Sequence, residues 1–187
     1  MHRPALLLAI ALSASMAPAM AQRDVPVSPY VGEEIRQIKA LAPERIEGLL
    51  AGKGLGYARA AELNGIPGPM HVLELADALE LSPQQRSATQ ALYTQVLDQA
   101  RPLGAQLVEA EAALDALLRS GRADADQVLV QLQRIAGIEA RLRHVHLAAH
   151  LAQEPLLTPA QVQAYSALRG YHGPAPAHGH KPVHHGH

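Results

Sequence analysis

An all-α fold is predicted: a long antiparallel helical hairpin with short flanking helices and a disordered, His-rich C-terminal tail. Three observations predict it. Two nearly identical helix-start signals, Leu81-Ser82-Pro83-Gln84-Gln85 and Leu157-Thr158-Pro159-Ala160-Gln161, bracket the centre of the chain. Two apolar stripes of helical spacing run between them. A turn only a few residues long, around Ser120-Gly121, separates the stripes, and a short loop between long amphipathic helices forces them antiparallel.

Each start signal has a hydroxyl residue at the N-cap, Pro at the first helical position, where a missing N–H costs nothing, and Gln at the third. Ser82 or Thr158 accepts from the backbone N–H of Gln85 or Gln161, while the Gln side chain reaches back to the N–H of its cap. Each such capping box contributes about 1 kcal/mol.

Residues 1–21 read as a secretory signal. His2 and Arg3 lead, an apolar run follows, and Ala19-Met20-Ala21 supplies the small-x-small cleavage pattern. The apolar run is too short for a membrane span, and no later stretch is long and apolar enough. The expected product is a periplasmic, non-membrane-spanning protein opening at Gln22. It has no Cys, so disulfides and thiolate chemistry are excluded. With no Phe, no Trp and 5 Tyr, the core must be built from Leu, Ala, Val and Ile, which favours close helix packing in thin layers. Removing the signal takes away Arg3 and no acid, leaving a net charge of roughly −2, a balance that argues against nucleic acid as a partner.

The elements follow in order. Residues 22–29 form an extended lead. Two short helical pieces are expected over 30–52, the second starting at Pro43, where Ala42 cannot cap. Gly52-Lys53-Gly54-Leu55-Gly56 lacks the order of a phosphate-binding loop and reads as a turn. A helix over 57–63 ends at Asn64-Gly65, and Ile66-Pro67-Gly68-Pro69 turns the chain into a helix over 70–79.

The first long helix, from Pro83 to Arg119, is about 55 Å long at about 1.5 Å per residue. Its stripe is Val96, Ala100, Leu103, Leu107, Ala110, Leu114 and Leu117. Pro102 interrupts it, predicting a bend near Arg101, with Gly104 adding flexibility. Asp124-Ala125-Asp126-Gln127 is a further capping box, opening the return helix with its stripe of Val128, Ile135, Ile138, Leu142, Val145, Ala149 and Ala152. A last helix runs over 159–169 and Gly170 ends it. Two helices cannot cover each other on all sides, so the flanking helices or a second copy of the chain must supply the rest.

The motif positions Leu81, Ser82, Gln85, Leu157, Thr158 and Gln161, with His146-Leu147-Ala148-Ala149-His150-Leu151 just before the second copy, resemble the L-T-x-x-Q signal of the Spy/CpxP-like periplasmic family. The resemblance spans roughly residues 30–171, with Ser82 replacing Thr in the first copy. It implies an ATP-independent holdase chaperone acting on unfolded client proteins, or a transition-metal-binding or heavy-metal-sensing protein. It also implies a homodimer, and as a further role a regulatory partner of a membrane sensor's periplasmic domain.

Histidine carries the remaining chemistry. The tail holds His172, His178, His180, His184, His185 and His187, and neutral imidazole is a ligand for zinc, copper, nickel or cobalt. The tail is either a metal-chelating arm or a solvated low-complexity end. His146 and His150 lie four apart on one helical face and offer two ligands for an ion. A third would come from His71, Glu74 or the tail. Otherwise the pair flanks the hairpin stripe beside Leu142 and hydrogen-bonds locally. No nucleophile, base and orienting group occur together, so no catalytic site and no organic cofactor is expected.

Overall fold

The computed structural model describes residues 26–171; the signal at 1–21 and the tail at 172–187 lie outside them. The chain divides into a unit up to Val31 and a unit from Gly32 onward. Of the first, a single turn is described, in which the Val31 N–H donates to the Ser28 carbonyl. The second is all-α. Its helices are α1 (Pro43–Leu50), α2 (Arg59–Leu63), α3 (Pro69–Glu74), α4 (Pro83–Arg119), α5 (Ala125–Gln153) and α6 (Pro159–Leu168), with a 3-10 turn at Glu154–Leu156. No strand occurs among the described residues, and none of their helices is long and apolar enough to cross a membrane.

α4 and α5 form the antiparallel hairpin. All three capping boxes are closed in both directions, at Ser82 with Gln85, Asp124 with Gln127 and Thr158 with Gln161. Ala42 offers no side-chain cap, as its methyl requires. Ser120 ends α4 and Gly121 takes a positive φ of 66°, which lets the chain reverse.

The first and third boxes also meet each other. Gln85 Nε2 donates to Gln161 Oε1 at 2.8 Å, and Gln161 Nε2 donates back to Gln85 Oε1 at 3.1 Å. The second hydrogen of each amide goes to a backbone carbonyl of the opposite segment, Leu156 for Gln85 and Leu79 for Gln161. Each carbonyl oxygen also accepts from the N–H of its own cap, Ser82 or Thr158. Both amides are thereby fully used.

Two apolar clusters make the core. In the first, Ile38, Leu41 and Leu49 pack onto Ala100, Leu107 and Ala110 of α4 and Ile135, Ile138 and Leu142 of α5. In the second, at the open end of the hairpin, Val72, Ala76, Leu79 and Leu81 meet Leu157 and Tyr165. The flanking helices therefore supply cover for part of the hairpin. Toward its turn Leu118, Leu129, Val130 and Leu132 remain exposed.

Several boundaries differ from the sequence reading. Residues 30–41 form turns and bends, so only one of the two short helices expected over 30–52 exists. Here Ile38 and Leu41 are seated in the core while Glu34 holds the Gly32 N–H and Asp115 of α4 takes the Lys39 N–H, leaving no helical ladder. The helix expected over 57–63 starts at Arg59. α3 stops at Glu74, short of the expected 79. Leu75, Ala76 and Leu79 are apolar because they pack in a turn that closes with Glu80 at φ 48° and Leu81 N–H on the Ala76 carbonyl, a Schellman closure without glycine. On α5, Ala152 is exposed and Gln153 takes the buried place, donating to Thr89 Oγ1 at 3.1 Å across the hairpin.

Pro102 lies on the exposed side of α4, and the helix continues on both sides of it. Gly104 has a packing reason: a Cβ there would collide with the Leu49 carbonyl at the end of α1. Gly104→Ala should push α1 off α4 and cost roughly 1 to 3 kcal/mol, read as a lower urea midpoint. Gln85→Ala and Gln161→Ala should each cost about 2 kcal/mol, because each strands the other amide. The double variant should fall short of their sum by about 1 kcal/mol. Gln127 makes no further side-chain bond among the described residues, so Gln127→Ala should cost only its cap, about 0.5 to 1 kcal/mol.

Candidate binding cleft

A cleft of about 830 Å³ opens between the loop following α1, the helices α2 and α3, and the facing sides of α4 and α5. Another depression, along Ser87, Gln90, Thr94 and Asp98, lies on one face of α4 alone. The large cleft is mostly apolar, with Leu63, Met70, Val96, Leu97 and Ala149 in its lining. Its loop wall is Gly52 to Gly56, the segment read from sequence as a turn, which contributes only the side chains of Lys53 and Leu55. Leu55 sits at φ 43°, and its side chain packs over Gly48, where a Cβ would come within 2.7 Å of it.

α5 brings His146 and His150 to this cleft, both buried. His150 Nδ1 donates to the Ile66 carbonyl at 2.8 Å, which fixes the tautomer and leaves the lone pair on Nε2. Its ring lies so close over Gly68 that a Cβ there would fall 2.5 Å from Nε2. His146 stacks on Tyr57, with ring centroids 5.8 Å apart and planes at 8°. Behind it Tyr57 and Arg45 both donate to Glu139 Oε1. His146 Nε2 is buried with no hydrogen-bond partner. Burial, and secondarily the neighbouring His150, hold the His146 pKa below the ordinary imidazole value.

The wall formed by α2 is anchored by Glu62. Its carboxylate accepts from the hydroxyls of Tyr165 and Tyr171 and from Arg169 Nε, all within 2.9 Å. Burial alone would raise its pKa, but the two hydroxyls and the guanidinium outweigh that and hold it below the usual carboxylate range. Burial and the Glu62 charge raise the Tyr165 phenol in turn. His150 Nδ1 is 4.0 Å from Glu62 and points to Ile66 instead.

Of the residues expected to hold metal, His146 and His150 share the cleft, and their contacts are long-range rather than local. His71 also lines it, but its Nδ1 is engaged by Glu74 Oε2 at 2.7 Å. Among the described residues no group of three His, Asp or Glu side chains is placed to hold an ion. His172, His178, His180, His184, His185 and His187 lie outside them. The reading from sequence missed Glu62, Tyr57 and the glycine loop. In a chain without Phe or Trp each Tyr is a candidate anchor, and Tyr165, Arg169 and Tyr171 together were the available signal.

The sign of the His146 shift sets a pH dependence. Above about pH 6.5 the ring is neutral whether folded or unfolded; below it the unfolded chain takes up a proton that the folded site resists, so stability falls with acid. Melting temperatures taken from roughly pH 7.5 to roughly pH 5.5 should drop, and His146→Phe, which keeps the stacking on Tyr57, should reduce that drop.

No family model, no curated protein and no solved structure matches this chain.

Proposed function

We propose that the chain is an exported, ATP-independent holding protein of the Spy/CpxP-like type, working as a homodimer and binding apolar segments of unfolding client proteins. The observation that carries this reading is the open, apolar cleft with large side chains exposed at its mouth, Leu63 at 66 % and Met70 at 40 %. Exposed apolar surface that forms a rimmed patch is a recognition surface far more often than an accident of packing. The uncovered Leu118, Leu129, Val130 and Leu132 near the hairpin turn are available for a second copy or for the client. The paired capping boxes and the signal-like residues 1–21 support the family and the export.

A second reading, metal binding or heavy-metal sensing with zinc, copper, nickel or cobalt, is favoured by the orphaned Nε2 of His146 beside His150. Isothermal titration of the full chain beside a chain ending at Tyr171 separates its forms. Integral binding to the short chain makes the α5 histidines the ligands, binding to the full chain alone assigns the metal to the tail, and none in either ends the metal reading. Docking on a periplasmic sensor domain is a further role, tested by saturable one-to-one binding.

The holding function is tested by light scattering of reduced α-lactalbumin without nucleotide. The chain should suppress aggregation at near-stoichiometric ratios. Leu63→Ser/Met70→Ser should halve the suppression or worse at an unchanged melting temperature, since both side chains are exposed. Absence of suppression by the unmodified chain removes the holding reading, and an unaffected double variant removes the cleft from it.

A further inference from the structure

Three cations stand around the cleft, Lys53 on the glycine loop, Arg59 at the start of α2 and Arg101 on α4. All three are exposed, and none makes an ion pair among the described residues, although most arginines elsewhere in the unit do. Arg101 reaches only the Ala51 carbonyl, at 3.5 Å. Among the described residues the one carboxylate on the lining, Glu62, is already consumed by Tyr165, Arg169 and Tyr171. An apolar interior under a mouth with uncompensated positive charge is complementary to a molecule with an apolar body and an anionic head.

We propose that the cleft binds a long-chain carboxylate, its acyl chain along Val96, Leu97 and Ala149 and its head group at Arg59 and Arg101. A volume of about 830 Å³ falls within the range of small-molecule sites and leaves room for a folded acyl chain. Guanidinium forks match a carboxylate in bidentate fashion. At the mouth of an apolar cleft a singly charged head costs less to desolvate than a doubly charged phosphate. The site stands on its lining alone and does not depend on the holding function.

The test is fluorescence titration of the full chain with dansylated undecanoate, followed by displacement with oleate, oleyl alcohol and dodecyl phosphate. The expected result is saturable binding of about one probe per chain, displaced by oleate at least tenfold more effectively than by the alcohol or the phosphate. Arg59→Ala/Arg101→Ala should weaken oleate about tenfold or more and leave the alcohol unchanged. A Cβ on Gly54 would meet only His146 Nδ1, at 3.9 Å, so the position has room for the first side-chain atom, and Gly54→Leu should exclude probe and oleate together. Circular dichroism confirms that each variant is folded, and if Gly54→Leu is not, the arginine variant decides alone. No saturable binding, alcohol or phosphate binding equal to oleate, or an arginine variant with full oleate affinity would each overturn the proposal. A chain that suppresses aggregation but takes up no probe overturns it while leaving the holding function standing.

Discussion

The reciprocal amide pair of Gln85 and Gln161 is the constraint on which the rest of the structure depends. A capping box is ordinarily a local device, stabilising the first turn of one helix by satisfying N–H groups that have no partner of their own. Here two boxes use their remaining hydrogen-bonding capacity on each other and on the carbonyls of Leu79 and Leu156. The start of α4, the start of α6 and the two segments leading into them thereby share one set of bonds. Because each amide is only partly buried, the net gain per bond is modest, but removing one side leaves the other amide facing groups it cannot satisfy. That asymmetry makes the pair a register pin rather than a simple contribution to stability.

The cleft follows from that pin. With the start of α6 fixed against α4, its last turn carries Tyr165, Arg169 and, through the closure at Gly170, Tyr171 onto the Glu62 carboxylate of α2. α2 has five residues and no side-chain cap, so it has little stability of its own and is held by this tertiary anchor. Gly68 lets the entry to α3 close over His150, and Gly104 lets α1 close over α4. Both approaches bring the loop after α1 and the loop before α3 to the same side of the hairpin, and the apolar space left between them is the cleft.

What was legible in the sequence divides along the range of the interaction. Ser82, Asp124 and Thr158 were readable as caps because an N-cap is decided within four residues. The hairpin was readable because its stripes repeat over many turns. Gln153 was not, since Thr89, which accepts from its amide, is on the opposite helix and nothing in the periodicity of α5 distinguishes a buried glutamine from the exposed Ala152 beside it. Leu75, Ala76 and Leu79 looked helical because a Schellman closure buries apolar side chains at nearly the spacing a helix does. The pairing of the two boxes was equally hidden: their likeness is visible in sequence, but likeness alone does not say that two motifs touch.

The two α5 histidines show how far spacing can carry a functional argument. Four residues apart, they share a helical face, and from sequence they are equivalent. The structure makes them different: His150 is committed through Nδ1 to a carbonyl 84 residues away and wedged over Gly68, whereas His146 lies flat on Tyr57 with one nitrogen sealed and unpaired. A buried imidazole with an unsatisfied nitrogen is tolerable only while neutral, and it is cheaper still if something reaches it. The fold therefore stores a small, specific cost at the wall of its apolar cleft. Any occupant that binds only the folded chain, whether client segment, acyl chain or ion, returns its binding free energy as stability.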